Sequence, residues 1–181
     1  MGFELLIVAA VVIVAIGMYN SLVKLRERAE GAWADVDVQL KRRYDLIPNL
    51  VETVKGYASH EQETLEKVIQ ARNAAMTAQG PGAKGEAEGM LTGALKSLFA
   101  LAEAYPDLKA AGGFRDLQGS LAEIEDAIAN QRRYYNAVIR DFNTKTQTFP
   151  SVLIARAFGF QQREFFEAEE DEKEAPKVSF D

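Results

Sequence analysis

The sequence predicts an all-α protein: an N-terminal transmembrane helix continuing into an antiparallel four-helix bundle. Three observations carry this. Residues 5–19, "LLIVAAVVIVAIGMY", are apolar and uncharged. Beyond them apolar residues recur in steps of three and four, with no strand-like alternation. Clusters of glycine and proline interrupt the pattern only at helix-length intervals.

The apolar run alone spans about 22 Å at the α-helical rise, short of a hydrocarbon core of roughly 30 Å. Adding residues 1–4 and 20–23 brings it to spanning length, so residues 1–22 are assigned as an anchor in the lipid bilayer. A cleaved signal peptide fits less well, because "MGFE" lacks a basic start. A soluble core helix would need a polar side, and this run is apolar all round. Lys24, Arg26 and Arg28 follow the run and no base precedes it. The positive-inside rule therefore places the body in the cytoplasm.

Residues 23–166 form the expected body. Leu22, Leu25, Ala29, Ala32, Val36 and Leu40 extend the anchor as a first helix, with Trp33 as a core anchor beside the stripe and Gly31 allowing a neighbour close. That helix is expected to end at Lys41, Arg42 and Arg43, where cations meet the negative end of the helix dipole. A second helix is expected from Asp45, a candidate cap, with Pro48 in its first turn. Leu46, Leu50, Val54, Tyr57, Leu65, Val68 and Ile69 mark its inner side. Residues 78–86, "AQGPGAKGE", read as a loop. A third helix with Leu91, Leu95, Leu98 and Ala102 inward breaks at Pro106 and Gly112–Gly113. In the fourth, Leu117, Leu121, Ile124, Ile128, Gln131, Tyr135, Val138 and Phe142 alternate steps of four and three, a coiled-coil-like seam. Gln131 is its one polar member. Residues 167–181 hold seven acids against two lysines, −5 of the net −6, and are expected to form a flexible acidic tail.

The body is thus near neutral, which argues against a nucleic-acid partner. Cysteine is absent and His60 is the only histidine, so thiol catalysis, cysteine-ligated metals and Glu-x-x-His di-iron sites have no residues to use. "GPGAKGE" lacks the spacing of a phosphate loop, and no G-x-S-x-G occurs. No intrinsic catalysis, cofactor or metal is expected. The density of charge at residues 36–61 is accounted for by a helix end followed by a helix start. Its functional alternative pairs Asp35 or Asp37 with Arg132 or Arg133. Residues 149–166, with Phe149, Phe158 and Phe160 prominent, could cover an open end of the bundle, form a subunit interface or enter the bilayer interface; the first is favoured.

Residues 19–61, "YNSLVKLRERAEGAWADVDVQLKRRYDLIPNLVETVKGYASHE", and residues 131–170, "QRRYYNAVIRDFNTKTQTFPSVLIARAFGFQQREFFEAEE", resemble the two signature blocks of the LemA family of bacterial membrane proteins. "APKVSF" near the end is also typical. The resemblance covers the chain apart from residues 72–113. It implies a single-pass anchor followed by an antiparallel helical bundle, with no established biochemical activity. A related protein of magnetotactic bacteria is associated with forming membrane-bound organelles, which implies a membrane-organising role. The function expected is a scaffold that self-associates as a homo-oligomer and meets other membrane proteins. The alternative is a binding module in which a groove beside Tyr134, Tyr135 and the segment after Phe149 takes a partner helix or a lipid.

Overall fold

α1, Gly2–Lys55, is a single helix that begins in the apolar run and passes without a break through Arg43, Asp45 and Pro48. The computed structural model describes residues 1–167. It continues with α2 (Gln62–Thr77), α3 (Pro81–Ala102), the short α4 (Pro106–Ala110), α5 (Gly112–Gln147) and the short α6 (Ser151–Ala157). About 84% of the described residues are helical and none lies in a strand, which makes the class all-α. The expected acidic tail lies outside the described residues, apart from its first residue, Glu167.

The helix boundaries correct the sequence reading in three places. No helix ends at Arg43, and Asp45 is an exposed residue inside α1 rather than a cap. Pro48 cannot donate to the carbonyl four residues earlier, that of Tyr44. The Nε of Arg72 supplies that hydrogen bond instead, at 2.8 Å. The actual break falls at residues 56–61, where Tyr57 and His60 are exposed. Two-thirds of the expected loop at residues 78–86, from Pro81 on, is also helical. Gly80 takes a positive φ of 80° and Pro81 starts α3 at a position where its missing N–H costs nothing.

Two units make up the chain. The first joins Met1–Asp37 to Asn130–Phe165. Its N-terminal portion exposes apolar side chains to an unusual degree, with Phe3, Leu5, Leu6 and Ile13 between 68% and 76% exposed. Such exposure is unlike the core helix of a soluble protein, and the helix is long and apolar enough to cross a membrane. Past the apolar run, Leu22, Phe142 and Ala155 are buried together, with Leu25, Ile154 and Phe160 packed against them. Gly31 has open space where a Cβ would stand, so it admits no close neighbour.

The second unit comprises Val38–Ala129 with Phe166 and Glu167. Its core collects Leu40, Ile47, Leu50 and Val54 of α1, Val68 of α2, Leu91 and Leu98 of α3, and Leu108 of α4. Gly85 of α3 lets the chain cross closely. A Cβ there would sit 3.0 Å from the carbonyl oxygen of Glu167 and 3.4 Å from the ring of Phe166, which is buried.

Candidate functional site

The second unit buries an ionic cluster that the sequence reading had dispersed along a helix end. Arg43 follows Val36 and Leu40 and precedes Ile47 on the apolar stripe of α1, so the helix carries its guanidinium inward, where it is 3% exposed. Nη1 donates to Glu88 Oε2 at 2.9 Å, and Nη2 to Thr92 Oγ1 at 2.9 Å, with Glu125 Oε2 at 3.0 Å. The hydroxyl of Tyr44 donates to Glu88 Oε1. One guanidinium thus serves two carboxylates. Burial pushes the Glu88 carboxyl above its usual range; the Tyr44 hydrogen bond and Arg43 oppose this, and the nearby Glu125 charge adds to it. Glu88 is 6% exposed and Tyr44 5%. With an acid and a phenol so enclosed, the arrangement suits an internal brace that fixes how α1 meets α3 and α5.

The first unit holds a different construction, built by the chain after α6. Ser151 Oγ donates to the carbonyls of Lys145 and Thr148 at 2.6 and 3.0 Å, turning the chain out of α5. The returning segment is then read by its backbone. Asn143 donates to the carbonyl of Arg163 and accepts from its amide, both at 2.8 Å. Tyr135 donates to the carbonyl of Glu164 at 2.9 Å. Burial pushes the Tyr135 hydroxyl up to about 12, Arg163 opposing and Glu164 adding, so it remains a donor over the whole neutral range. The Arg163 guanidinium pairs with Glu30 of α1 at 2.6 Å and lies 5.9 Å over the ring of Phe142.

This return brings aromatic rings to the end of the apolar run. Phe158 packs on Tyr19 at a tilt, with centroids 4.8 Å apart, and Phe160 meets Tyr19 at 5.8 Å and Phe142 at 6.4 Å. Arg26 lies 5.6 Å over Phe160. Phe158 nevertheless remains 62% exposed, as do Leu153 at 57% and Phe149 at 78%.

The residues singled out from sequence therefore divide. Trp33 packs on Tyr135 at 5.3 Å. Arg43 joins the buried cluster rather than a helix terminus. Phe160 is half-buried in the aromatic group, Phe158 rests on Tyr19, and Phe149 stands in the open. Gln131 and Arg132 are half-buried on α5, Asp37 and Asp45 exposed on α1, and Arg133 donates to Asn130 of its own helix at 2.6 Å. Among the described residues no three His, Asp or Glu side chains gather as metal ligands.

Sequence reasoning missed Glu88, Tyr44, Arg72, Asn143 and Arg163. Glu88 was detectable. It precedes Leu91, Leu95 and Leu98 at the same alternating spacing, and an acid on an apolar stripe demands a buried partner.

Fold and interior together define an all-helical, membrane-associated protein. The LemA family model matches residues 32–180, so the chain belongs to the LemA family, and the match includes the stretch 72–113 that the resemblance of the two blocks did not cover. The protein LemA of Metamycoplasma hominis is 27% identical, covering 94% of this chain and 78% of that protein. Magnetosome protein MamQ 2 of Paramagnetospirillum magneticum is 25% identical, over 92% of this chain and 71% of its own length. Magnetosome protein MamQ of Magnetospirillum gryphiswaldense is 26% identical over 82% of this chain, which spans 64% of that relative.

Proposed function

We propose that this is a single-pass protein of the bacterial inner membrane, held by residues 1–22 with its body in the cytoplasm, that acts without catalysis as a self-associating scaffold. The observation that carries the reading is the return of the chain to the end of the apolar run, where Phe158 meets Tyr19 and remains exposed, as do Phe149 and Leu153. Large apolar groups left exposed favour contact with another subunit or with the membrane interface. Confinement to a bilayer raises effective concentration, so a modest contact suffices for assembly with further copies or with other membrane proteins. Relatives named as magnetosome proteins support the membrane-organising half of the reading.

Light scattering of the full-length chain in detergent, corrected for bound detergent, tests the assembly. A mass well above the 20.0 kDa of one chain is expected; a strictly monomeric mass overturns self-association. A second reading, a module that receives lipid at the membrane surface, is favoured by a cleft in the first unit lined by basic residues.

A further inference from the structure

The first unit contains a cleft of about 630 Å³ between α1 and α5, near the start of α6. Ser21, Lys24 and Arg28 of α1 face Arg140, Asp141 and Lys145 of α5 across it. The lining thus holds four cations and one carboxylate. The Lys145 ammonium hydrogen-bonds the Ser21 hydroxyl, which holds it at the wall. Lys24, Arg28 and Arg140 form no ion pair with any described residue. By contrast, Arg26 is engaged with Glu27 and Phe160, and Arg163 with Glu30 and Phe142. Unbalanced positive charge is therefore concentrated in a concave place.

Its depth follows from the helix that builds it. Ser21 lies two residues beyond Tyr19 and Lys24 five, about 3 and 7.5 Å along the axis. The polar headgroup layer extends roughly 5–8 Å beyond the hydrocarbon on each side. With Tyr19 at the boundary, where aromatic rings collect, the cleft opens at headgroup level. Lysine and arginine stems can extend their charges towards the bilayer. The exposed rings and side chains of Phe149, Leu153 and Phe158 offer apolar contact for the upper acyl chains. Basic pockets at this depth are suited to anionic lipid.

We propose that this cleft binds the phosphate of an anionic phospholipid headgroup, held by Lys24, Arg28, Arg140 and Lys145. The inference rests on residues 1–22 being a bilayer anchor. It goes beyond that anchor by giving the body a lipid preference.

The test uses the full chain. Flotation with vesicles of pure phosphatidylcholine reports the anchor alone; failure to float overturns the anchor and the inference with it. Native mass spectrometry from detergent micelles, with phosphatidylglycerol and phosphatidylcholine offered in equal amounts, reports the cleft. Retention of phosphatidylglycerol by a factor of about 10 or more is expected. Arg28→Gln with Arg140→Gln should bring the ratio close to one, Arg28→Lys with Arg140→Lys should preserve it, and circular dichroism should be unchanged. Lys41→Gln with Lys96→Gln, exposed cations of the other unit, should leave it unaltered. Equal retention of both lipids by the unaltered chain overturns the inference while leaving the anchor standing. An equal loss of preference in the Lys41 and Lys96 variant does the same. Displacement of phosphatidylglycerol by millimolar inorganic phosphate identifies a site for free phosphate and overturns the lipid assignment.

Discussion

Arg72 donates from Nε to the carbonyl oxygen of Tyr44 at 2.8 Å, filling the place of the amide that Pro48 lacks. A proline inside a helix removes one hydrogen bond and crowds the carbonyl four residues earlier. α1 continues through it because a side chain from α2 satisfies that carbonyl, and because Ile47, Leu50, Val51 and Val54 on either side are buried. The same contact ties α2 to α1 beside the buried cluster of Arg43, Tyr44 and Glu88.

Arg72→Met should therefore cost about 1–3 kcal/mol, the penalty for leaving a buried carbonyl unpaired. In a Pro48→Ala background the amide restored at position 48 can take over, and the cost of Arg72→Met should fall sharply. A double-mutant cycle by thermal or urea unfolding measures the coupling. Equal costs in both backgrounds would mean that the carbonyl is not what Arg72 supports.

Arg43→Met leaves Glu88 buried without its cation and should destabilise the second unit by about 3–5 kcal/mol. The pH dependence has a definite sign. Burial raises the folded-state carboxyl of Glu88 above its ordinary value of 4.5, so the folded chain holds this proton more tightly than the unfolded one. Its stabilising contribution is full below 4.5 and is lost as pH rises through the folded value. Glu88→Gln cannot ionise, so its melting temperature should fall less than that of the unaltered protein as pH increases from 4 towards 7 (about the range between the ordinary acid value and neutrality). Parallel melting curves against pH would count against a raised Glu88.

Two glycines of α3 should respond oppositely to alanine. Gly93 has open space at its Cβ position, and Gly93→Ala should gain about 0.5–1 kcal/mol from helix propensity. At Gly85 the new methyl meets the Glu167 carbonyl at 3.0 Å. Gly85→Ala should lose that gain and loosen Phe166, measured as a lower melting temperature than Gly93→Ala.

The proposal that the body lies in the cytoplasm is open to a direct trial. The chain has no cysteine, so Ser120→Cys, at an exposed position on α5, introduces a single reporter. It should resist an impermeant maleimide on intact cells and react after lysis. Labelling of intact cells would reverse the orientation and place the basic cleft against the outer leaflet.

Much of the fold was legible because it is periodic. The seam of α5 from Leu121 to Phe142 and the stripe of α3 from Leu91 to Ala102 need only the helical repeat to be read. The site was less so. Arg43 stood out by charge, yet its neighbours Lys41 and Arg42 made a helix terminus the simpler account. Its true environment depended on Glu88, 45 residues away. Asn143 reads as an ordinary polar residue until the chain returns to present the backbone of Arg163.

By itself, the order of residues determined an apolar run of spanning length, a helical body, the family to which the chain belongs and the absence of thiol chemistry. These are local or compositional properties. Tertiary structure decided that α1 passes Pro48, that Arg43 is an interior brace, and that four cations from α1 and α5 line one cleft. Each of these depends on which distant group satisfies a buried charge, an orphaned carbonyl or an unpaired cation, and such partners become neighbours only when the chain folds.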